Sequence, residues 1–199
     1  MRFLTLCVSL VILFLPVQAM AEDELVHVKM ETSKGDIYLV LNKTKAPVTV
    51  ENFLSYAESG YYIRLIFHRV VPGRLIQGGG YNRSLYEREK RDPIINEADN
   101  GLKNARGTIA MARNSDPNSA QSQFFINTKD NPELNHQGSE YDYQWGYAVF
   151  GEVTHGMDVV DAISMVPTEG RGDFEAEVPI ENIFINMVRV IDVTDVPTE

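Results

Sequence analysis

The stretch Phe67-His68-Arg69-Val70-Val71-Pro72-Gly73-Arg74-Leu75-Ile76-Gln77-Gly78-Gly79-Gly80 sets long polar side chains among strand-forming apolar residues. Two short apolar runs, 65–71 and 75–77, are separated by Pro72-Gly73-Arg74, a composition that breaks strands and makes turns. On a strand successive side chains alternate between faces, so Phe67 is expected to share a face with Arg69, and Leu75 with Gln77. Two adjacent strands would then present Arg69 and Gln77 beside apolar surface. Taken alone, the segment equally allows Arg69 to be an ordinary surface charge. A second stretch has the same character: Met111-Ala112-Arg113, a polar loop, then Gln121-Ser122-Gln123-Phe124-Phe125-Ile126-Asn127. Here Gln123 and Phe125 share a face, again an amide next to a large ring.

Outward from these stretches the chain reads as many short strands. Val26, Val28 and Met30 alternate with polar residues, Ser33-Lys34-Gly35-Asp36 intervenes, and Ile37, Leu39 and Leu41 resume the period of two, as in a β-hairpin with one buried face. The period then changes. Pro47 suits a first helical position, Val50, Phe53, Leu54 and Ala57 fall at helical spacing, and Gly60 supplies the stop. Further apolar runs at 108–112, 124–127 and 147–153 are followed by a second helical pattern, Met157, Val160 and Ile163, ending before Pro167. Residues 183–193 provide a closing strand. The expected class is mainly β, an antiparallel sandwich or barrel with two helices.

Composition bounds the function. In 199 residues, hydrophobic types make up 44% and charged types 23%, ordinary for one folded domain and too apolar for a disordered chain. With 18 Lys and Arg against 28 Asp and Glu the net charge is −10, so there is no global basic field to neutralise a phosphate backbone and nucleic acid is not an expected partner. At the N-terminus Arg2, the apolar run 3–17 and Ala19-Met20-Ala21 have the layout of a signal peptide. The run is too short to span a bilayer and closes at Pro16, so residues 1–21 are expected to be removed, leaving domain 22–199 without stable membrane insertion. The chain's single cysteine, Cys7, would leave with them, so neither a disulfide nor a thiolate metal site is expected. His27, His68, His136 and His155 lack ligand spacing, and no metal is expected. Gly78-Gly79-Gly80 is not a phosphate loop and reads as a close backbone approach or turn. Arg171-Gly172-Asp173 is a tripeptide that arises by chance in loops.

With both stretches in hand, and with Phe150-Gly151-Glu152-Val153 and Gly156-Met157 downstream, the chain closely resembles the cyclophilin family of peptidyl-prolyl cis-trans isomerases. FHRVVPG…QGGG and SQFFIN are far more specific together than apart, and the match in order and spacing runs from about Val26 to Val193. MARNSDPNSAQSQFFIN followed by GYAVFGEV is most similar to the exported bacterial branch. The resemblance implies a closed eight-stranded antiparallel β-barrel capped by two α-helices, no cofactor, proline-containing polypeptides as partners, a monomer, and a periplasmic location. Carried over by position, it makes Arg69 and Gln77 catalytic. It places Leu75, Phe125 and Leu134 in a proline pocket, has Gln123 and the backbone around Ala112 and Arg113 hold the peptide, and adds Phe67 and Tyr147 to the binding set.

Departures from the eukaryotic pattern concern the rim. Arg74 stands where a pocket phenylalanine is usual, Arg113 where an asparagine is usual and Tyr147 where a histidine is usual. Glu133 replaces the tryptophan of cyclosporin-sensitive members, and the loop 135–146 is longer than theirs and carries Trp145. Poor inhibition by cyclosporin is the expectation. A non-catalytic binder of proline peptides and a structural envelope protein on the same barrel are the competing classes; a pure scaffold has no need of an arginine beside an apolar pocket.

Overall fold

A computed structural model describes residues 23–198; the expected leader, 1–21, lies outside them. The alternating segment folds as read. Strand β1 (Leu25–Thr32) and strand β2 (Gly35–Asn42) pair from Leu25↔Asn42 to Thr32↔Gly35, and the apolar series Val28, Met30, Ile37, Leu39 and Leu41 is buried. Helix α1 (Pro47–Glu58) follows, then β3 (Leu65–Val71), β4 (Leu75–Asn82), β5 (Thr108–Met111), β6 (Phe124–Asn127) and β7 (Val149–His155). Helix α2 (Met157–Ser164), a separate hairpin of β8 (Thr168–Arg171) and β9 (Phe174–Pro179), and β10 (Phe184–Val190) complete the order. Eight strands close into an antiparallel barrel in the order β1-β10-β3-β4-β6-β5-β7-β2. The expected eight-stranded barrel with two helices is what the chain forms.

Two apolar clusters result. The larger fills the barrel and joins Phe67, Phe124 and Phe150 to Val50 and Phe53 of α1 and to Val160 and Ile163 of α2. Phe53 lies 5.6 Å from Phe124 and 5.3 Å from Phe150 between ring centroids, so α1 plugs the barrel with an aromatic side chain. The smaller cluster, Leu75, Ala110, Phe125 and Val149, sits apart from it, with Leu134, Tyr147 and Ala112 packed against it.

Two features depart from simple alternation. Phe67 pairs with Gly78 while Arg69 pairs with Gln77, so His68 is an extra residue opposite that step, a β-bulge. The bulge resets the faces: Phe67 and Val70 enter the barrel core, and Arg69 leaves on the outer surface. The expectation that Phe67 and Arg69 share a face is therefore corrected. The glycine run is strand, not turn, and belongs to β4. A Cβ on Gly79 would stand 2.8 Å from the Ser122 carbonyl oxygen, and one on Gly80 would stand 2.7 Å from the Gln123 side chain, so these glycines admit the next strand at close range.

The N-cap position of α1 is Ala46, which offers no side-chain cap, and Pro47 at the first helical position removes one orphan donor. The cap comes from far along the chain. Glu97 accepts from the backbone N–H of Val48 (3.2 Å) and Thr49 (2.8 Å) and from the Thr49 hydroxyl (2.7 Å). A carboxylate at a helix N-terminus also meets the positive end of the helix dipole. Glu97→Ala is expected to cost about 1–2 kcal/mol, read from the urea midpoint at constant slope. An unchanged midpoint would show that water caps the helix equally well.

Candidate active site

Pairing partners in antiparallel strands present their side chains to one face. Across five neighbouring strands the register runs Arg69↔Gln77, Gln77↔Phe125, Phe125↔Ala110 and Ala110↔Val149. One lateral row on the outer surface thus passes from a guanidinium through an amide to an aromatic floor. Leu75, two residues before Gln77, widens that floor. On the other side of the same sheet, Phe67 packs edge-on against Phe124 at 6.2 Å inside the barrel, so of the expected binding residues Phe67 lies away from this surface.

The polar end of the row is a chain of hydrogen bonds. Arg69 Nη1 donates to Gln77 Oε1 (3.3 Å), Gln77 Nε2 to Gln123 Oε1 (2.9 Å), and Gln123 Nε2 to Glu87 Oε1 (3.2 Å), which Lys90 neutralises at 2.7 Å. At its head, Arg69 Nε donates to Glu177 Oε2 at 2.7 Å. A polar recess of about 240 Å³ opens beside Gln77 and Gln123, lined among others by Tyr81, Glu87, Ala112 and Ser119.

The apolar end has its own supports. Tyr147 stands edge-on to Phe125 at 5.5 Å, and the Arg113 guanidinium lies 4.9 Å over the Tyr147 ring. Arg113 also donates to the carbonyls of Gly146 (2.8 Å), Asn114 (2.9 Å) and Asp142 (3.2 Å), so its side chain pins the 135–146 loop. Behind this wall three buried asparagines form a network. Asn104 Nδ2 donates to the carbonyls of Leu134 and Tyr147, its Oδ1 accepts from Asn127, and Asn131 donates to Asn127 Oδ1 at 2.7 Å. At the rim Arg74 Nη2 pairs with Glu133 at 3.2 Å. Trp145 packs on His136 at 5.4 Å and stands outside the Phe125 cluster. Among the described residues no group of three or more His, Asp or Glu is placed to hold a metal ion.

An arginine held by a glutamine and a glutamate stands at the edge of an aromatic-floored pocket on a closed barrel. The family model for cyclophilin type peptidyl-prolyl cis-trans isomerases matches residues 27–190. The chain belongs to the cyclophilin family. Peptidyl-prolyl cis-trans isomerase A of Dickeya dadantii is 48% identical over 173 residues, 87% of this chain and 88% of that one. Peptidyl-prolyl cis-trans isomerase B of Escherichia coli is 50% identical over 163 residues, 82% of this chain and 98% of that one. Among solved structures, a cyclophilin type isomerase of Cryptosporidium parvum superposes with a TM-score of 0.68 at 28% identity, covering 85% of this chain and 99% of its own. This cyclophilin is a peptidyl-prolyl cis-trans isomerase, and proline-containing peptides are its substrates.

Sequence reasoning did not find three groups that this cyclophilin brings to the site. Glu177 reaches Arg69 across 108 positions, Asn104 reaches the Leu134 carbonyl across 30 and Glu87 reaches Gln123 across 36. No local pattern announces such pairings.

His68, the bulge residue, is buried between Tyr81 (4.6 Å) and Phe174 (5.7 Å). Burial pushes its imidazole down to about 4, and the adjacent Arg69 charge acts in the same direction. The native state thus binds fewer protons than the unfolded chain between about 4 and the ordinary value of 6.5, so stability present above 6.5 is lost as pH falls through that window. Between pH 7 and 4.5 the parent is expected to lose roughly 2–3 kcal/mol more than His68→Phe, measured by urea unfolding at both pH values. Equal losses in the two proteins would place the imidazole in contact with solvent.

Proposed function

We propose that Arg69 and Gln77 carry the catalysis and that the Phe125 cluster seats the proline ring. Rotation about an X-Pro bond breaks amide resonance over a barrier of roughly 18–20 kcal/mol. No covalent bond breaks. As the C–N bond twists, the proline nitrogen becomes pyramidal and gains a lone pair that the planar amide lacks. A donor aimed at that nitrogen binds the twisted state better than either planar one, which is the requirement for acceleration. Arg69 is such a donor, its position set by Gln77 in the next strand. Leu75, Phe125, Leu134 and Tyr147 offer an apolar bed for the pyrrolidine, while Gln123 and the backbone at Ala112 and Arg113 hold the flanking chain extended. The observation that carries this reading is the lateral row from Arg69 through Gln77 to Phe125.

The substrates we assign to the enzyme are proteins exported from the cytoplasm, met as a monomer in a periplasm. Arg2, the apolar run 3–17 and Ala19-Met20-Ala21 support that assignment, as does the acidic, cysteine-free chain that cleavage after Ala21 leaves. Cell fractionation with mass measurement of the isolated chain tests it: a product starting at Glu22 in the periplasmic fraction is expected, and an intact cytoplasmic chain refutes it.

In a protease-coupled assay of an X-Pro peptide, Arg69→Ala is expected to lower kcat/KM by roughly 100-fold or more, while the urea midpoint stays near the parent's because the side chain lies outside the core. Activity within twofold of the parent removes Arg69 from the mechanism. A companion measurement concerns the rim. Cyclosporin covering the pocket must desolvate the Arg74–Glu133 pair and finds no indole there, since Trp145 is turned to His136. Weak inhibition is expected, with affinity gained in Glu133→Trp; nanomolar inhibition of the parent would show that the 135–146 loop rearranges around the ligand.

A further inference from the structure

Arg69 is gripped from two sides. Gln77, on the neighbouring strand, takes Nη1, and Glu177 takes Nε at 2.7 Å from outside the barrel altogether. Glu177 belongs to β9, whose hairpin lies along β3 and is fastened there by Phe174. That ring meets Tyr81 edge-on at 5.1 Å and His68 at 5.7 Å, while Val178 is fully buried and Arg171 Nη2 donates to Asn182 at 2.7 Å. The carboxylate is thus presented by an anchored element.

The backbone at Glu177 is unusual. Its φ is +69°, in the left-handed region that L side chains other than Asn and Asp seldom occupy, and it stands inside a strand between exposed Ala176 and buried Val178. A glycine would occupy this position without strain, yet the residue there carries a carboxylate that meets the site arginine. Strained backbone of this kind persists where the surroundings over-determine it, and functional sites are where it gathers.

Resting on the reading of Arg69 as the donor, we propose that Glu177 is a positioning residue that sets the plane of the Arg69 guanidinium for the twisted amide. An arginine side chain has many rotamers, and one held at Nε and Nη1 has already given up that freedom before the substrate twists. Nη2 has no hydrogen-bond partner among the described residues and remains to serve the substrate. The carboxylate also tempers the positive charge. With both side chains about 36% exposed, water screens much of that effect, and orientation is the larger contribution.

The test compares Glu177→Gly, Glu177→Asn and Glu177→Gln with the parent, separating kcat from KM on an X-Pro peptide and recording Tm for each. Glycine and asparagine both accept positive φ, so Tm at or above the parent's is expected for them, together with a roughly three- to tenfold fall in kcat and a KM changed by less than twofold. Glu177→Gln, which keeps an acceptor, should retain more kcat than the other two. In an Arg69→Ala background Glu177→Gly should cause no additional loss, because the group it positions is gone. Parental kcat in the glycine and asparagine variants, losses that add to that of Arg69→Ala, or a kcat that falls only in step with Tm each overturn the proposal. If Arg69→Ala itself is as active as the parent, it is the assignment of the donor that fails, a result distinct from the others.

Discussion

One inserted residue divides this barrel into a core and a reactive surface. Without His68 opposite the Phe67↔Gly78 to Arg69↔Gln77 step, β3 would alternate strictly and Phe67 and Arg69 would face the same way. Either the guanidinium would enter a core of phenylalanines, at a desolvation cost no partner there could offset, or Phe67 would leave the core. The bulge lets one short strand feed both clusters, with Val70 again inside and Val71 at the outer pocket. Gly79 and Gly80 on β4 complete the arrangement from the opposite side of Gln77. Lacking side chains, they let the Ser122-Gln123-Phe124 segment lie against the strand, and Gln123 comes within 2.9 Å of Gln77.

Most of the architecture was legible because it is written in periods. The alternation at 26–41, the spacing of Val50, Phe53, Leu54 and Ala57, and the short apolar runs all became the elements they resemble, since burying one face is what both period and structure express. The β8–β9 hairpin was not legible. From Thr168 to Glu177 its residues are mostly polar, charged or glycine and only Phe174, Val178 and Pro179 anchor it, so the pairing satisfies backbone groups without the alternation of a regular buried face. The bulge was equally hidden, for a period of two carries no mark of where one residue is skipped. The Arg171-Gly172-Asp173 tripeptide lies at the bend of that hairpin, where Gly172 takes φ +61°.

Within the candidate site, residues from the two conspicuous stretches were legible as types beside each other: Arg69 with Gln77, Gln123 with Phe125. Their support was not. Asn104, Asn127 and Asn131 are buried asparagines scattered over 28 positions, each satisfied by partners that the fold alone assembles. Glu97 looks like any loop acid, yet it caps a helix 48 residues earlier. Charged rim residues misled in a different way. Arg74 and Glu133 each read only as a charge in place of an aromatic residue, and nothing in the sequence shows that, 59 positions apart, they are each other's partner.

Closure of the barrel matters for what this enzyme handles. A peptide held extended for prolyl rotation has its backbone N–H and C=O groups unpaired, the condition under which a chain adds itself to any open sheet. Here all eight barrel strands have a neighbour on both sides, so the surface that meets such chains offers no strand edge for them to join. The two-stranded β8–β9 sheet is short and carries Glu169, Glu175 and Glu177, side chains that discourage lateral growth. The closed barrel therefore gives an extended proline-containing peptide no template to which it could add itself as a further strand.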